Sequence, residues 1–284
     1  MSKISAQSTG EPMNDYHNTY QTFRSFTMDG DKISRKKTDL TVETPLQIIV
    51  NGQRHTLIMF TPEDIRELVC GFVFTEGLIK DFKEIKDCKV SDVREKDGEE
   101  AIEARIEIVS KGPLPSATSG KRVSYSSCGI CGTESYNQMK TGLKRVKSTH
   151  RFTMDMLEGL SNRLEEFQPL YTKTGGAHAA VLFDSNGEQI LHCEDMGRHN
   201  ALDKVIGSML IRGISSEDKV LVSSGRASLE MILKTARAGF PVFVAMSRPT
   251  SRAVEAARFY NITLIDMARD TNRIYTHVRR IKGF

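Results

Sequence analysis

Apolar and polar positions alternate along residues 46–59, and this pattern predicts a β-hairpin. The two apolar runs flank Asn51-Gly52, a dipeptide preferred in two-residue hairpin turns because both positions tolerate a positive φ. Thr61 is a suitable helix N-cap and Pro62 suits the first helical position, so a helix is predicted to begin there. A second alternating run, residues 101–109, predicts a half-buried strand.

From residue 170 onward, short apolar runs alternate with amphipathic ones. The predicted strands are Ala179–Phe183, Gln189–Cys193, Lys219–Ser223, Pro241–Ala245 and Ile262–Asp266, and the predicted helices are Asn200–Ile211, Ser224–Ala238 and Ser251–Tyr260. Such alternation is typical of an α/β layer with partly parallel strands. The predicted fold class is therefore α/β: a layered α/β core with a mixed sheet, plus a smaller N-terminal subdomain that contains β-strands.

Three segments of the chain differ in their pattern. Residues 1–40 are polar with few apolar clusters, so we predict a disordered N-terminal extension. Residues 41–148 form the predicted N-terminal subdomain, which contains a Gly-, Pro- and Ser-rich loop and a Cys-x-x-Cys motif. Residues 149–284 form the predicted α/β domain.

Composition excludes several classes of protein. Hydrophobic residues make up 39% and charged residues 27% of the 284 positions, which excludes a collagen-like or wholly disordered chain. The longest apolar runs fall far short of the ~18 residues of a membrane span, and the polar N-terminus shows no secretory signal. Five cysteines, an odd number, argue against a disulfide framework and for a reducing compartment, the cytoplasm.

The excess positive charge is concentrated near the C-terminus. The net charge of the chain is +4. Residues 267–284 contain five basic residues against the single acidic residue Asp270, namely Arg269, Arg273, Arg279, Arg280 and Lys282. A basic end on a balanced body indicates a local contact with an anion rather than general coating of nucleic acid. A solvated tail is the alternative.

Cys128-Gly129-Ile130-Cys131 is the sharpest local motif. Two thiols three positions apart can share one electrophile, and such spacing or a nearby cation lowers a thiol pKa. Three interpretations remain open: half of a zinc site, for which a second Cys-x-x-Cys is missing; a thioredoxin-type redox pair, for which the strand–helix context is missing; and a thiol that accepts and passes on sulfur. Cys70, Cys88 and Cys193 are interpreted as structural.

His192-Cys193-Glu194 matches the H-x-E motif of zinc deaminases, in which P-C-x-x-C follows. Here the Cys-x-x-Cys motif comes first, and Ser127 stands in the place of the proline. Deaminase chemistry is therefore discounted and no metal ligands are predicted. His192 and Cys193 are expected to be strand residues, one of them buried.

Polar residues follow several predicted strands, where ligands bind in open α/β sheets. The candidates for binding an anionic ligand are His178 after a Gly-Gly turn, Asp195, Arg198 and His199 at a strand-to-helix junction, Ser224, Gly225 and Arg226 at the next, and Ser247 and Arg248 at the one after. Free N–H groups at a helix start, hydroxyls and arginines suit phosphates. The alternatives are a structural His178 and salt-bridged capping in the charged cluster.

Five motifs in order resemble one family. The motifs are Ser127–Gly132, Thr174–His178, Glu194–Lys204, Ser223–Ser228 and Ser247–Thr250. Together they resemble the formate dehydrogenase accessory sulfurtransferase family, FdhD, over residues 40–280.

The resemblance implies an enzyme. Members of this family take sulfur as a persulfide from a cysteine desulfurase and pass it to the molybdenum (or tungsten) bis-molybdopterin guanine dinucleotide cofactor that formate dehydrogenase needs. The cofactor would be a bound substrate, with no permanent cofactor. The resemblance also implies a cytidine deaminase-like core, a cytoplasmic homodimer and a cofactor-binding role for residues 149–284, with neither nucleic acid nor membrane as a partner.

The resemblance also assigns residues by position. Cys128 matches the persulfide-bearing cysteine and Cys131 its partner. The segment placed where the family contacts the cofactor consists of Met267, Ala268, Arg269, Asp270, Thr271 and Asn272. Asp195 or Asp266 would accept hydrogen bonds from a guanine. The alternative functions are a cofactor-holding chaperone without sulfur transfer and a zinc-stabilised structural protein.

Overall fold

The computed structural model describes residues 18–94, 100–109, 123–124, 140–268 and 272–284. The strands are β1 Tyr20–Asp29, β2 Lys32–Thr41, β3 Thr44–Val50, β4 Gln53–Phe60, β5 Ile85–Arg94, β6 Glu100–Ile108, β7 Val123–Ser124, β8 His178–Phe183, β9 Gln189–Asp195, β10 Val220–Arg226, β11 Val242–Ser247, β12 Thr263–Asp266 and β13 Arg273–Ile274. The α-helices are α1 Ile65–Thr75, α2 Met154–Arg163, α3 Pro169–Thr174, α4 Arg198–Ile211, α5 Leu229–Ala238 and α6 Ser251–Tyr260. Across these ranges, no helix combines the length and apolar character needed to cross a membrane.

A six-stranded mixed sheet forms the centre of the fold, in the order β13-β12-β11-β10-β8-β9. Strands β10, β11 and β12 are parallel, whereas β8 runs antiparallel to both of its neighbours. Alternate residues of each central strand enter different cores: Leu221 packs with the α4–α6 side, and Val220 and Val222 pack with α2. Strands buried on both faces explain the unbroken apolar runs in the sequence. The predicted α/β class is confirmed.

A five-stranded sheet, in the order β5-β6-β3-β4-β7, carries the N-terminal part of the chain. The predicted hairpin is present as β3–β4, with Asn51 and Gly52 at φ values of 48° and 78° in its turn. Leu46 and Ile48 of this sheet share a core with Leu182 and Leu221 of the larger sheet. The division predicted at residue 148 therefore does not separate two cores.

Residues 20–41 correct the prediction of disorder for residues 1–40, since β1 and β2 form an antiparallel ribbon. Residues 1–17 lie outside the described part. The ribbon buries little apolar surface, and a low content of apolar residues was the basis on which disorder was predicted. Backbone pairing holds it instead, together with contacts to α3. Thr41 Oγ1 lies 2.7 Å from Thr174 Oγ1, and Lys173 Nζ lies 3.4 Å from the centre of the Tyr20 ring.

The start of α1 corrects a second prediction, because the helix begins at Ile65 and not after Thr61. Asp64 precedes it at a φ of 50°. Thr61 is committed to a tertiary contact: its N–H donates to Asp195 Oδ2 at 3.1 Å, and its hydroxyl accepts from Met196 N at 3.1 Å. Leaving a buried N–H or hydroxyl group without a partner is costly, so Thr61 keeps these tertiary hydrogen bonds and does not cap a helix.

Two glycines let α1 and α4 cross in backbone contact. A Cβ on Gly71 would lie 1.9 Å from the carbonyl oxygen of Asp203, and a Cβ on Gly207 would lie 1.9 Å from that of Glu67. Neither obstacle is a flexible side chain, so the helices would have to separate. This crossing fixes α4, whose first turn carries Arg198 and His199, relative to the five-stranded sheet.

Beside the crossing lies a buried charge network. Lys234 Nζ donates to Asp203 Oδ2 at 2.6 Å, and the Thr75 hydroxyl donates to Asp203 Oδ1 at 2.8 Å. Glu230, also buried, lies 3.9 Å from Lys234 Nζ and 3.6 Å from His199 Nε2. Desolvation raises the pKa of Glu230 from 4.5 to about 7.

The helix crossing predicts that Gly207→Ala lowers the free energy of unfolding by about 3 kcal/mol, because the added methyl group overpacks two backbones. Urea denaturation measures the change. Gly159→Ala is the matched control, since Gly159 lies within α2 with nothing within 4 Å of its added Cβ. That variant is expected to gain up to about 1 kcal/mol from helix propensity. Unfolding of Gly207→Ala at the wild-type midpoint would contradict the crossing.

The raised pKa of Glu230 predicts a pH dependence of stability. The folded protein keeps the Glu230 proton up to a pKa of about 7, whereas the unfolded chain releases it near 4.5, so this group costs stability as pH rises through that window. The charged groups that face it are Lys234, Glu76, Asp203, Arg198 and His199.

Glu230→Gln removes this titration and keeps the side-chain shape. Between about pH 5 and pH 8 the wild type should lose up to about 3 kcal/mol more stability than the variant. Urea denaturation at both pH values measures the difference. Identical pH profiles for the two proteins would contradict the assignment.

Candidate functional site

One edge of the six-stranded sheet gathers most of the predicted site residues. The carboxyl ends of β9, β10, β11 and β12 meet there, at Asp195, Arg226, Ser247 and Asp266. His178 joins them from the start of the antiparallel strand β8, directly opposite Asp195. We call this the carboxyl edge of the sheet.

His178 and Ser224 are in direct contact at this edge. The Ser224 hydroxyl accepts a hydrogen bond from Ala179 N at 2.9 Å and lies 3.2 Å from His178 Nδ1. Burial and the Arg198 guanidinium lower the pKa of His178 from 6.5. The imidazole is therefore neutral at neutral pH and can offer a hydrogen bond without a charge.

Arg198 lies across the end of β10 because Gly225 has no side chain. A Cβ on Gly225 would lie 2.8 Å from Arg198 Cδ. The Arg198 Nε atom is buried and meets no hydrogen-bond acceptor within the described ranges. A buried guanidinium N–H without an acceptor is a ready donor for an anionic ligand.

Asp195 is fully buried, and its oxygens are occupied by the protein. They accept hydrogen bonds from Thr61 N at 3.1 Å, Gly197 N at 2.8 Å and Asn200 Nδ2 at 2.8 Å. Lys204 Nζ, also fully buried, lies 2.9 Å from Oδ2. In this structure Asp195 holds the turn that carries Arg198 rather than facing a ligand.

The junction after β10 differs from the sequence prediction in one respect. Ser224-Gly225-Arg226 does not open a helix, since β10 continues through Arg226 and α5 begins at Leu229. Ser228 caps α5, accepting from Met231 N at 3.4 Å, so the helix begins after Ser228 and not at Ser224. Arg226 is exposed at the strand end.

After β11 the predicted arrangement is present. Ser247 ends the strand and is half-buried, Arg248 is exposed, and Thr250 caps α6 by accepting from Ala253 N at 3.2 Å. The two junctions thus present exposed arginines near neighbouring strand ends.

His199 faces the protein interior. Its Nε2 lies 3.4 Å from Ser228 Oγ and 3.6 Å from Glu230 Oε2, so it connects α4 to α5. The sequence analysis gave Lys204 and Glu230 no role in this region and assigned Thr61 to a helix cap, whereas all three support it. The available signal was a charged Asp203-Lys204 pair between the apolar pairs Ala201-Leu202 and Val205-Ile206 of the helix.

The C-terminal segment divides into buried and exposed positions. Met267 is buried, Ala268 is half-buried, and the exposed Asn272 donates to Glu158 Oε1 at 3.3 Å. Asp266 is fully buried and accepts from the Tyr275 hydroxyl, and its Oδ1 lies 3.6 Å from Arg273. Arg269, Asp270 and Thr271 lie outside the described residues.

Glu194 has a structural role that agrees with the rejection of deaminase chemistry. Its carboxylate accepts hydrogen bonds from Leu170 N at 2.7 Å and Tyr171 N at 2.9 Å, at the start of α3. His192 is exposed and Cys193 is buried, both on β9, as predicted. Where side chains are described, no cluster of His, Cys, Asp and Glu could hold a metal ion.

Cys128 and Cys131 lie outside the described residues. The described chain leads toward them through β7, which pairs in parallel with β4: Ser124 lies opposite Ile58. Strand β4 ends two residues later at Phe60, next to Thr61 and hence next to Asp195. Strand β7 therefore points along β4 toward the carboxyl edge.

Comparison with known proteins agrees with the resemblance drawn from the five motifs. The model of the FdhD/NarQ family matches residues 41–282. The sulfur carrier protein FdhD of Thermoplasma acidophilum is 36% identical over 256 residues, covering 85% of this chain and 86% of that protein. The protein of the same name from Bacillus subtilis is 35% identical, covering 88% and 93%.

A solved structure supports the fold. The crystal structure of a candidate formate dehydrogenase accessory protein from Desulfotalea psychrophila matches with a TM-score of 0.70 at 22% identity, covering 93% of this chain and all of that one. Because its identity is low, it bears on the fold alone. The family match spans both sheets and the carboxyl edge, and the chain therefore belongs to the FdhD/NarQ family.

Proposed function

We propose that this chain is a sulfurtransferase. Cys128 accepts sulfur as a persulfide from a cysteine desulfurase and passes it to the molybdenum bis-molybdopterin guanine dinucleotide cofactor, which is bound as a substrate at the carboxyl edge and serves formate dehydrogenase. The names of the relatives, sulfur carrier protein FdhD, support the general role. We also expect a cytoplasmic homodimer.

The observation that carries the proposal is the set of cations and donors at the carboxyl edge. Arg198 has a buried Nε free of described acceptors, and Arg226 and Arg248 are exposed at neighbouring strand ends. His178 and Ser224 add uncharged donors. Arginine pairs with phosphate oxygens in a bidentate geometry, so this set suits the pyrophosphates of a dinucleotide.

The direction of β7 supports a meeting of the cysteines with the bound substrate. Ser124 is the last described residue before Cys128, and four residues of chain can span at most about 14 Å. Strand β7 points toward the edge at which Thr61 contacts Asp195. The last described residues before the nucleophile thus run toward the edge that carries the arginines.

The transfer itself needs a thiolate. Cys128 attacks the outer sulfur of the desulfurase persulfide, a new S–S bond forms, and the desulfurase cysteine leaves as a thiolate. Residues at the edge would then hold the dinucleotide while the S–S bond of the Cys128 persulfide breaks. The outer sulfur atom passes to the cofactor, which supplies two electrons, and Cys128 is left as a thiolate. Cys131, three positions later in the sequence, takes part in this second transfer either as a sulfur acceptor or as a helper.

Cys128→Ala should abolish activation of formate dehydrogenase, because the variant lacks the thiol on which the persulfide forms in the first transfer. After incubation with a desulfurase and cysteine, intact mass spectrometry should show the added mass of one sulfur atom on the wild type and not on the variant. Cys193→Ala, at a buried position on β9, is the control and should keep the adduct. Full activation by Cys128→Ala, with cofactor bound, would instead support a cofactor-holding chaperone.

Arg226→Gln and Arg248→Gln should each weaken binding of guanosine diphosphate, a probe for half of the dinucleotide, by about tenfold or more, since hydrogen bonds to charged groups contribute about 1.5–3 kcal/mol. Calorimetric titration measures the dissociation constant. Both side chains are exposed, so the melting temperature should not change.

Arg258→Gln is the matched control, because this exposed arginine lies in the last turn of α6, away from the junction that Arg248 occupies. Its affinity for guanosine diphosphate should equal that of the wild type. Equal loss in all three variants would show a general charge effect and contradict a site at the carboxyl edge.

A further inference from the structure

The contact between His178 and Ser224 lies where the pairing of β8 with β10 ends. The last backbone pair of this ladder joins Ala180 to Ser223. One step further, the Ser224 hydroxyl accepts a hydrogen bond from the Ala179 N–H at 2.9 Å, and the same oxygen lies 3.2 Å from His178 Nδ1. One hydroxyl group therefore meets both a backbone donor and an imidazole nitrogen.

The hydrogen of the Ser224 hydroxyl determines which ring nitrogen of His178 is protonated. A serine hydroxyl has one hydrogen to donate and two lone pairs that accept, and the Ala179 N–H occupies one of those lone pairs. Among the described residues, His178 Nδ1 is the acceptor within reach of this hydroxyl. If Nδ1 carried a hydrogen, the hydroxyl would lose that acceptor. The hydroxyl therefore donates to an unprotonated Nδ1, and the hydrogen of the neutral imidazole lies on Nε2.

The Nε2 atom of His178 is open to a ligand. His178 is half-buried, and its Nε2 is neither bonded to the described part of the protein nor enclosed by it. On β10 the residue after Ser224 is Gly225, which Arg198 crosses, and the buried Arg198 Nε meets no described acceptor. Two N–H donors, one uncharged and one charged, therefore lie at the end of the same strand.

We propose that Ser224 is a positioning residue that fixes His178 as an Nε2–H donor, so that His178 and Arg198 together bind the oxygens of one phosphate group. With the hydrogen on Nδ1 instead, Nε2 would present a lone pair and repel the same oxygens. Burial and the Arg198 guanidinium lower the pKa of His178, so the ring carries a single hydrogen at neutral pH. The Ser224 hydroxyl thus makes this point of the carboxyl edge specific for a hydrogen-bond acceptor.

The proposal has two parts that can fail separately. The position of the ring hydrogen follows from the contacts of Ser224, whereas the contact with phosphate rests on the proposed binding of a dinucleotide at the carboxyl edge. Neither part involves the cysteines. A Cys128 that forms no persulfide would therefore contradict sulfur transfer and leave both parts standing.

Long-range 1H–15N NMR spectra of the full chain, labelled with 15N in histidine, show which ring nitrogen carries the hydrogen. The wild type should show His178 in the Nε2–H form, and His178→Gln identifies its signals among the seven histidines. In Ser224→Ala the ratio of the Nδ1–H to the Nε2–H form should rise about fivefold, because a hydrogen bond that favours the Nε2–H form is lost. Ser224→Thr keeps the hydroxyl and should restore the wild-type spectrum.

Calorimetric titration with inorganic pyrophosphate tests the contact with phosphate. The dissociation constant should rise about two- to fivefold in Ser224→Ala and about tenfold in His178→Ala, whereas Ser224→Thr should bind as the wild type does. Because Ser224 acts through His178, the double variant should bind no more weakly than His178→Ala. Additive losses in the double variant would show that Ser224 contacts the ligand itself, and would overturn its positioning role.

Ser215→Ala is the matched control, because this exposed serine lies before the start of β10, at the opposite end of the strand, and also accepts from a backbone N–H, that of Glu217. Both the His178 signals and the pyrophosphate affinity should stay as in the wild type. If Ser224→Ala fails to fold, the wild-type spectrum still tests the assignment. Predominance of the Nδ1–H form in the wild type, or an unchanged spectrum in a folded Ser224→Ala, would overturn the proposal.

Discussion

The buried ion pair between Asp195 and Lys204 is the contact on which the geometry of the carboxyl edge depends. Both side chains are fully buried, 2.9 Å apart, and the two other hydrogen bonds of Lys204 go to the carbonyl oxygens of Thr61 and Glu194 at 3.0 Å. Removing one partner of such a pair leaves an uncompensated charge and costs about 3–5 kcal/mol. The pair therefore fixes the relative positions of β4, β9 and α4 more than it adds net stability. Its two charges are compensated in only one arrangement of these elements.

The Asp195–Lys204 contact helps to fix the position of α4. Its first turn is held by Asp195 through Gly197 and Asn200, which sets Arg198 against Gly225 on β10. Its middle is held by the backbone contact with α1 at Gly207. A side chain carried on an element fixed at two points is more precisely placed than one on a loop, so the proposed anion contact of Arg198 would need no rearrangement of α4.

The predictions from sequence succeeded where the signal is local. The Asn51-Gly52 turn, the strands β8 and β9 and the helix α6 follow from neighbouring residues and were predicted nearly to the residue. They failed where a distant contact decides: Thr61 is engaged by Asp195, 134 residues away, and a single sequence carries no sign of that pairing. The β1–β2 ribbon was missed for another reason, since its backbone pairing leaves composition almost unchanged. The grouping of His178, Ser224 and Arg198 was predicted from strand ends, whereas the inward direction of Asp195 and His199 was not.

That inward direction determines the charge of the edge. The sequence places Glu194 and Asp195 four and three residues before Arg198, as if they neutralised it. In the structure Glu194 accepts from the amides that begin α3, Asp195 pairs with Lys204, and Asp266 accepts from Tyr275. Each carboxylate is thus satisfied inside the protein. These carboxylates therefore do not neutralise the arginines at the strand ends. The low dielectric constant of the neighbouring protein strengthens the attraction of those arginines for an anion. The proposed polyphosphate substrate would therefore meet these arginines with the carboxylates of Glu194 and Asp195 turned away from it.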